Sequence, residues 1–214
     1  VKDGDSISLG NMDVNFFETK MLHWPDSMFS YLPADKMLFS NDAFGMHLAS
    51  NERYADEIED YILKYEAEKY YANILLPYSP LIKKLLDKVV SLGLEFDMIM
   101  PDHGPIWRTK EDIAKIIGFY GEWAEQKPAK KAVILFDTMW NSTEKMAHVI
   151  SEGLVNNGIE TQLMPMKTTH RSDAVKEVFD SGALIVGSPT LNNTIFPIIA
   201  DVMTYMKGLR RHNL

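Results

Sequence analysis

The chain has 214 residues, of which 46% are hydrophobic, and its formal net charge is −8. This length is long for one domain and sufficient for two, each with its own buried core. The negative charge disfavours nonspecific nucleic-acid binding, and no apolar run approaches the roughly 20 residues of a membrane span. The absence of cysteine excludes disulfides and cysteine-ligated iron–sulfur centres within these residues. Together with a polar first segment, these features predict a globular cytoplasmic protein.

Two strands are predicted near the start of the chain. Residues 14–18 and 36–40 are rich in apolar side chains, as strands commonly are. Each is followed by a turn with a candidate ligand, His23 after the first strand and Asp42 after the second. Functional side chains commonly lie in such turns, so we expect both residues to belong to a site.

A helical region is predicted from about residue 54, followed by a strand at 96–100 and a helix at 110–124. The strand leads directly to His103. An apolar stripe at helical spacing predicts a helix surface that faces a core. It comprises Leu81, Ile82, Leu85, Leu86, Val89 and Val90.

A polar segment at 125–131 predicts a domain boundary. Its Pro128 cannot continue the preceding helical pattern. We therefore predict a first domain at 1–127 and a second domain at 128–214.

The second half alternates strands and helices, which predicts a doubly wound parallel sheet. The predicted strands lie at 132–136, 161–166 and 183–186, and the predicted helices at 143–157, 172–180 and 197–209. The first of these helices has an apolar face at helical spacing, formed by Met146, Val149, Ile150, Gly153 and Leu154. That face is expected to pack against the sheet.

His23, Asp42 and His103 are candidate metal ligands. Imidazole and carboxylate donors suit iron, manganese or zinc, and the absence of thiolates favours a catalytic over a structural site. Taken alone, His23 is more often a hydrogen-bonded or surface residue, and Asp42 fits an ordinary strand-end turn. His103 is the stronger candidate because an apolar strand precedes it. Spacing alone leaves the identity of the metal open.

Five neighbouring residues have weaker claims on the same site. Asp26 and Asp102 could orient an imidazole as hydrogen-bond acceptors, although a turn or N-cap role is equally consistent with their positions. His47, on the turn after Asp42, could approach the site. Tyr70 or Tyr71 could supply a phenol, but packing is the commoner role of such residues.

Two loops in the second half are candidates for flavin binding. The first lies between a strand and a helix N-terminus, where hydroxyls and backbone N–H groups bind phosphate. It comprises Thr138, Met139, Trp140, Asn141, Ser142 and Thr143. The second follows the third strand and comprises Ser188, Pro189, Thr190, Leu191, Asn192 and Asn193. The first loop alone would most simply be an N-cap, and the glycine motifs of nucleoside-triphosphate and dinucleotide sites do not occur.

The segments at 23–28, 40–45 and 101–105, in this order and spacing, resemble those of the flavodiiron proteins, and the resemblance covers essentially the whole chain. It implies a metallo-β-lactamase-like αββα domain followed by a flavodoxin-like doubly wound sheet, both partial. By the same resemblance His23 is a ligand of one iron, His103 is a ligand of the other, and Asp42 bridges the two. The two loops resemble the first two FMN loops of flavodoxin.

The resemblance also implies a function. A flavodiiron protein reduces dioxygen to water, or nitric oxide to nitrous oxide, with electrons that FMN relays from an external donor such as rubredoxin. The implied assembly is a head-to-tail homodimer in which FMN of one chain faces the metal site of its partner. Two alternatives remain open on the residues: a zinc hydrolase of the metallo-β-lactamase type, and a non-catalytic FMN electron-transfer module.

The family pattern also contains parts that these residues lack. A His-x-Glu-x-Asp-His segment is expected upstream of His23, and a third FMN loop is expected after Leu214. We therefore expect the chain to be a fragment of a longer polypeptide. We also expect residues 1–214 alone not to hold a working diiron centre.

Overall fold

A computed structural model describes residues 1–209, which form two compact units that divide between Glu125 and Gln126. The boundary suggested by the sequence, between Lys127 and Pro128, lies close to this division. No helix within residues 1–209 combines the length and apolar character needed to cross a membrane.

The first unit contains a five-stranded sheet in the order β1-β2-β3-β4-β5. The strands are β1 (Ser6–Ser8), β2 (Asp13–Glu18), β3 (Met28–Leu32), β4 (Met37–Asn41) and β5 (Met98–Pro101). Neighbouring strands are antiparallel except β4 and β5, which are parallel. Parallel pairing places the carboxyl ends of β4 and β5, and therefore the turns that carry Asp42 and His103, at the same edge of the sheet.

Three longer helices complete the first unit: α1 (Asp60–Tyr70), α2 (Ser79–Ser91) and α3 (Lys110–Ala124). Short 3-10 and π turns at 55–57 and 71–78 precede α1 and connect it to α2. The Thr109 hydroxyl caps α3 by accepting a hydrogen bond from the backbone N–H of Asp112 at 3.1 Å. Tyr71 and Tyr120 lie fully buried, with their rings 5.3 Å apart.

The predicted elements of the first unit are present, with two additions and one error. The helix at 110–124 matches α3, and strands occur at both predicted positions near the start of the chain. Strands β1 and β3 were not predicted. The predicted apolar stripe on α2 is buried at Ile82 and Leu85, but the prediction is wrong at Val90, which is 79% exposed.

The second unit contains a parallel sheet in the order β7-β6-β8. Its strands are β6 (Lys131–Phe136), β7 (Glu160–Pro165) and β8 (Ala183–Gly187), and its helices are α4 (Ser142–Asn156), α5 (Arg171–Phe179) and α6 (Pro197–Leu209). A hairpin of β9 (Thr190–Leu191) and β10 (Thr194–Ile195) follows β8. The central strand β6 is buried on both faces, as expected of a doubly wound sheet.

The two faces of β6 pack against different helices. Val133 and Leu135 share a core with Ala174 of α5 and Ile199 of α6. Ile134 and Phe136 pack on the other side against α4. The doubly wound fold inferred from the alternation of strands and helices is therefore confirmed.

The predicted packing face of α4 is wrong in detail. Met146, Val149 and Ile150 are exposed, and the buried positions are Thr143 and Ala147. The prediction is confirmed at Leu154, which is partly buried and packs against the same core cluster as Ala147. Small side chains at 143 and 147 bring this part of the helix close to the sheet.

Candidate metal centre and flavin loops

His23 lies on a tightly hydrogen-bonded loop between β2 and β3. The N–H of Thr19 donates to the carbonyl of Ser27 at 3.0 Å, and the N–H of Leu22 donates to the carbonyl of Thr19 at 3.0 Å. The Leu22 side chain is buried and anchors the loop. His23 itself is only partly buried, so its imidazole is available at the end of the sheet.

Asp42 follows a local irregularity in β4. The pairing of β4 with β5 shifts register between Phe39 and Asn41, and Asn41 has φ 54°. The Asn41 carbonyl then accepts a hydrogen bond from the N–H of Asp102 at 2.8 Å. This bond joins the turn after β4 to the turn after β5 and sets Asp42 opposite His103.

The three predicted ligands meet at this edge of the sheet. His23 Nε2 lies 3.5 Å from Asp42 Oδ2, and His103 Nε2 lies 3.1 Å from Asp42 Oδ1. Each carboxylate oxygen therefore faces a different imidazole. The Asp42 side chain is largely buried between them.

Two glycines let the turns that carry Asp42 and His103 pack backbone to backbone. A Cβ at Gly45 would lie 2.7 Å from the carbonyl oxygen of His103, and a Cβ at Gly104, which has φ 88°, would lie 2.9 Å from Cγ of Met46. Any other residue at either position would force the turns apart. The close approach is therefore a condition for the position of His103.

The carbonyl of Met46 supports the His103 ring. It lies 3.4 Å from His103 Nδ1, and the N–H of Met46 donates to the His103 carbonyl at 3.3 Å. When Nδ1 carries the proton and shares it with this carbonyl, the Nε2 lone pair faces Asp42 and can bind a metal. Sequence reasoning missed Met46, and the glycines beside each turn were the available indication of such an approach.

His47 and Tyr70 also border the site. The His47 ring is 5.1 Å from that of His103 and 4.9 Å from that of Tyr70. Tyr70 Oη is 3.4 Å from His103 Nε2. Partial burial and the neighbouring His103 lower the pKa of His47, whereas burial and the charge of Asp42 raise the pKa of Tyr70 well above its ordinary value.

The other three neighbours have different surroundings. The Tyr71 phenol is buried and hydrogen-bonds the Ser79 hydroxyl at 3.1 Å. The Asp102 carboxylate accepts a hydrogen bond from the Asn41 side-chain amide at 2.7 Å, so it braces the turns rather than an imidazole. Asp26 is exposed on the outer side of the loop that carries His23.

The donor set fits two metal ions that share one carboxylate. Each side of Asp42 offers one imidazole nitrogen and one carboxylate oxygen, which iron, manganese and zinc all accept. Within residues 1–209, no cluster of three or more His, Cys, Asp or Glu side chains is arranged to hold one ion. Each half of the site therefore requires donors beyond these three residues.

The first candidate flavin loop has the features of a phosphate site. The Thr138 hydroxyl is buried and has no hydrogen-bond partner within residues 1–209, although the N–H of Thr138 donates to the Asp137 carboxylate at 2.7 Å. Helix α4 begins after Asn141, which has φ 61° and makes no side-chain cap. The N-terminal N–H groups of α4 and the Thr138 hydroxyl therefore lack side-chain acceptors in this loop, and a phosphate would supply them.

The second flavin loop begins at the same edge of its sheet. Phe136 at the end of β6 pairs with Gly187 at the end of β8. A Cβ at Gly187 would lie 2.8 Å from Cγ2 of Thr143, so the two loops start in close contact. The hairpin turn then uses Asn192 and Asn193, both with positive φ, as its two central residues.

Family models match both units. The ODP family beta lactamase model covers residues 1–104, and the flavodoxin model covers residues 134–211. Fold and matches together define a two-domain α/β protein in which a β-lactamase-type unit precedes a flavodoxin-type unit.

Individual relatives show which proteins of this two-domain class the chain resembles. A nitric oxide reductase of Moorella thermoacetica is 47% identical over 100% of this chain and 53% of its own length. The solved rubredoxin oxygen:oxidoreductase of Desulfovibrio gigas is 46% identical, with a TM-score of 0.96 over 100% of this chain and 53% of that chain. The flavodiiron protein of Giardia intestinalis is 36% identical, with a TM-score of 0.91 over 98% of this chain and 51% of that chain.

The chain belongs to the flavodiiron proteins. It spans about half the length of the relatives that it matches.

Proposed function

We propose that the protein carrying this sequence reduces dioxygen to water, or nitric oxide to nitrous oxide, at a diiron site. FMN would relay the electrons from an external donor such as rubredoxin, and the cytoplasm is the proposed compartment. The observation that carries the proposal is the Asp42 carboxylate, whose two oxygens face His23 and His103 in a chain of this family.

The proposed roles follow this geometry. His23 would hold one iron, His103 the other, and Asp42 would bridge them. A shared carboxylate offsets the repulsion between two cations, and neutral imidazoles leave positions open for a diatomic gas. When bound, the irons would supply the redox chemistry at the gas, and FMN would deliver electrons one at a time.

The side chains around the proposed diiron site include a hydrogen-bond donor and buried apolar groups. Tyr70 Oη carries its proton at neutral pH, as an ordinary phenol does, and burial raises its pKa further, so toward an anionic group it acts as a hydrogen-bond donor. Leu22 and Met46, which flank His23 and His103, are buried and hold the two turns in place.

One set of measurements separates this proposal from its two alternatives. An absorption spectrum combined with metal analysis of the native polypeptide is expected to show flavin bands and iron. Zinc without flavin would instead indicate a hydrolase, and flavin without metal would indicate an electron carrier. The flavodoxin unit favours a redox role over hydrolysis, because a hydrolase has no use for an electron carrier.

Replacing Thr138 with valine is expected to weaken FMN binding by about 10- to 100-fold. Valine keeps the shape of the side chain but removes a hydroxyl that would donate to a charged phosphate, a bond of about 1.5–3 kcal/mol. Fluorescence titration of the apoprotein with FMN measures the change. Thr168→Val, at an exposed position after β7, is the matched control and should leave the affinity unchanged. Equal affinities for all three proteins would place the phosphate elsewhere.

We further propose a head-to-tail homodimer in which FMN of one copy serves the metal site of the other. A mixture of an Asp42→Ala copy with a flavin-site copy, such as Thr138→Val combined with Thr143→Ala, is then expected to recover activity. Each heterodimer would keep one intact pair of cofactor sites. Oxygen or nitric oxide consumption at limiting FMN measures the recovery. Heterodimers that form without any gain over the parent variants would argue against this arrangement.

A further inference from the structure

The turn that carries Asp42 has a strained backbone. Asn41 has φ 54° and Phe44 has φ 65°, so residues in the left-handed region lie on either side of Asp42. Asparagine tolerates this region, whereas a bulky residue such as phenylalanine adopts it only where the surrounding structure holds it there. The groups that hold Phe44 therefore decide where the Asp42 carboxylate lies.

Two aromatic side chains hold the peptide groups on either side of Phe44. The N–H of Phe44 donates to Tyr120 Oη at 2.8 Å, and the carbonyl of Phe44 accepts from Trp107 Nε1 at 2.9 Å. The Phe44 ring also packs against the Tyr120 ring, with centroids 4.7 Å apart. All three residues are at most 3% exposed. These contacts belong to the interior of the first unit, so they do not depend on what covers its surface.

Both aromatic residues connect the turn to regular elements of the first unit. Trp107 exchanges two backbone hydrogen bonds with Ile99 of β5, at 2.8 Å and 3.0 Å. Tyr120 belongs to α3. Because β5 leads to His103, Trp107 ties the turn of Asp42 to the strand that positions the opposite histidine.

We propose that Tyr120 and Trp107 are positioning residues for the diiron site, and that they act through the Phe44 backbone on the Asp42 carboxylate. We call this pair of side chains the Phe44 clamp. The inference rests on the proposed function and assigns the groups that prepare its bridging ligand. Asp42 lies two residues before Phe44, and the glycine after Phe44 makes the close contact with the His103 carbonyl. A turn held at Phe44 therefore fixes the carboxylate relative to His103 before any metal binds.

Preorganisation of this kind raises the affinity for metal. A ligand whose turn samples several conformations binds in proportion to the fraction of molecules that have the competent one. Without the clamp, the N–H or the carbonyl of Phe44 would be a buried polar group that has lost its partner, which favours rearrangement of the turn. Loss of either clamp residue should therefore weaken iron binding while the unit stays folded.

The first test is anaerobic titration of the native polypeptide, freed of metal, with ferrous iron. Tyr120→Phe keeps the ring and removes the acceptor of the Phe44 N–H, so it is expected to weaken iron binding about tenfold, or about 1.4 kcal/mol. Trp107→Phe is expected to act in the same direction. Tyr71→Phe is the matched control, because this phenol is also buried and its ring lies 5.3 Å from that of Tyr120, but its hydroxyl bonds Ser79. It should lower the melting temperature by about as much as Tyr120→Phe and leave the iron affinity unchanged.

The second test separates positioning from fold stability. Mössbauer spectra report the ligands around each iron, so Tyr120→Phe should alter the spectrum at full iron occupancy, and Tyr71→Phe should not. The double variant of Tyr120→Phe with Trp107→Phe should lose less affinity than the product of the two single losses, because both changes release the same turn. The affinity for FMN should stay the same in every variant, since the flavodoxin unit has its own core.

Native iron affinity and native spectra in both Tyr120→Phe and Trp107→Phe would overturn the inference and leave the proposed function standing. Equal losses of affinity in Tyr120→Phe and Tyr71→Phe would overturn it too, because the effect would then come from stability alone. If Tyr120→Phe does not fold, Trp107→Phe is compared with Trp123→Phe, which truncates another buried tryptophan at the end of α3, and the same outcomes decide. A native polypeptide that binds no iron would overturn both the inference and the proposed function.

Discussion

Replacing Asp42 with alanine is expected to remove both metal ions and abolish gas reduction, while FMN stays bound. Each oxygen of this carboxylate faces a different histidine, at 3.1 Å and 3.5 Å, so its loss takes one donor from each side of the site. It also removes the negative charge that would offset the repulsion between two cations. The candidate FMN loops belong to the other unit, which has its own core.

Histidine variants provide the internal comparison. His23→Ala and His103→Ala each remove one nitrogen on one side of Asp42, so each is expected to lower the iron content by less than Asp42→Ala does. Asp26→Asn, on the exposed side of the same loop as His23, is the control and should retain iron and turnover. Iron and flavin are measured together by metal analysis and absorption. Full iron content in Asp42→Ala would exclude the bridging role.

The sequence could predict those members of the site that act through a distinctive side chain. His103 was recognisable because an apolar strand leads to it and Gly104 follows it. Met46 was not, because its contribution is a backbone carbonyl, which every residue possesses. The contact of Tyr70 with His103 depends on where α1 ends relative to β5, and no local pattern encodes that distance.

The errors in the fold prediction have similar causes. Strand β1 is three exposed residues, Ser6–Ser8, with too little alternation to stand out. On α4 the predicted face holds at Leu154, but Met146, Val149 and Ile150 are exposed, and the helix packs mainly through Thr143 and Ala147, whose small size permits a closer approach to the sheet. A pattern of apolar residues records which side chains favour burial, whereas the packing distance decides which of them are buried.

Replacing Lys131 with alanine is expected to destabilise the flavodoxin unit by about 3 kcal/mol, the lower end of the range for breaking a buried ion pair. Lys131 is only 7% exposed at the start of β6, and its Nζ lies 2.8 Å from carboxylate oxygens of both Glu177 and Asp180. Its loss leaves Glu177, which is itself largely buried, with Lys176 as its ion-pair partner. Asp180 is partly exposed, so water can hydrate its carboxylate once the lysine is gone. The expected loss of stability therefore lies at the lower end of that range.

The pH dependence of this loss has a defined direction. Burial alone would raise the pKa of Glu177, but hydrogen bonds from Lys131 and Lys176 outweigh it and hold the pKa below its ordinary value of 4.5. The stability that comes from a carboxylate of lowered pKa is present above that ordinary value and is lost as the pH falls through the folded-state pKa. The stability difference between the native protein and Lys131→Ala should therefore be largest near neutral pH and shrink in acid.

At alkaline pH the stability changes in the opposite direction, because it falls as the pH rises. Burial alone would lower the pKa of Lys131, but hydrogen bonds to Asp180 and Glu177 raise it above its ordinary value of 10.5. The contribution of the lysine is thus complete below that value and is lost as the pH rises through the folded-state pKa. Urea unfolding across this range, followed by circular dichroism, measures both limbs. Lys130→Ala, at the adjacent exposed position, is the matched control and should change the free energy of unfolding by less than about 0.5 kcal/mol at any pH. A Lys131→Ala protein that is as stable as this control at neutral pH would show that the ion pairs contribute nothing to the fold.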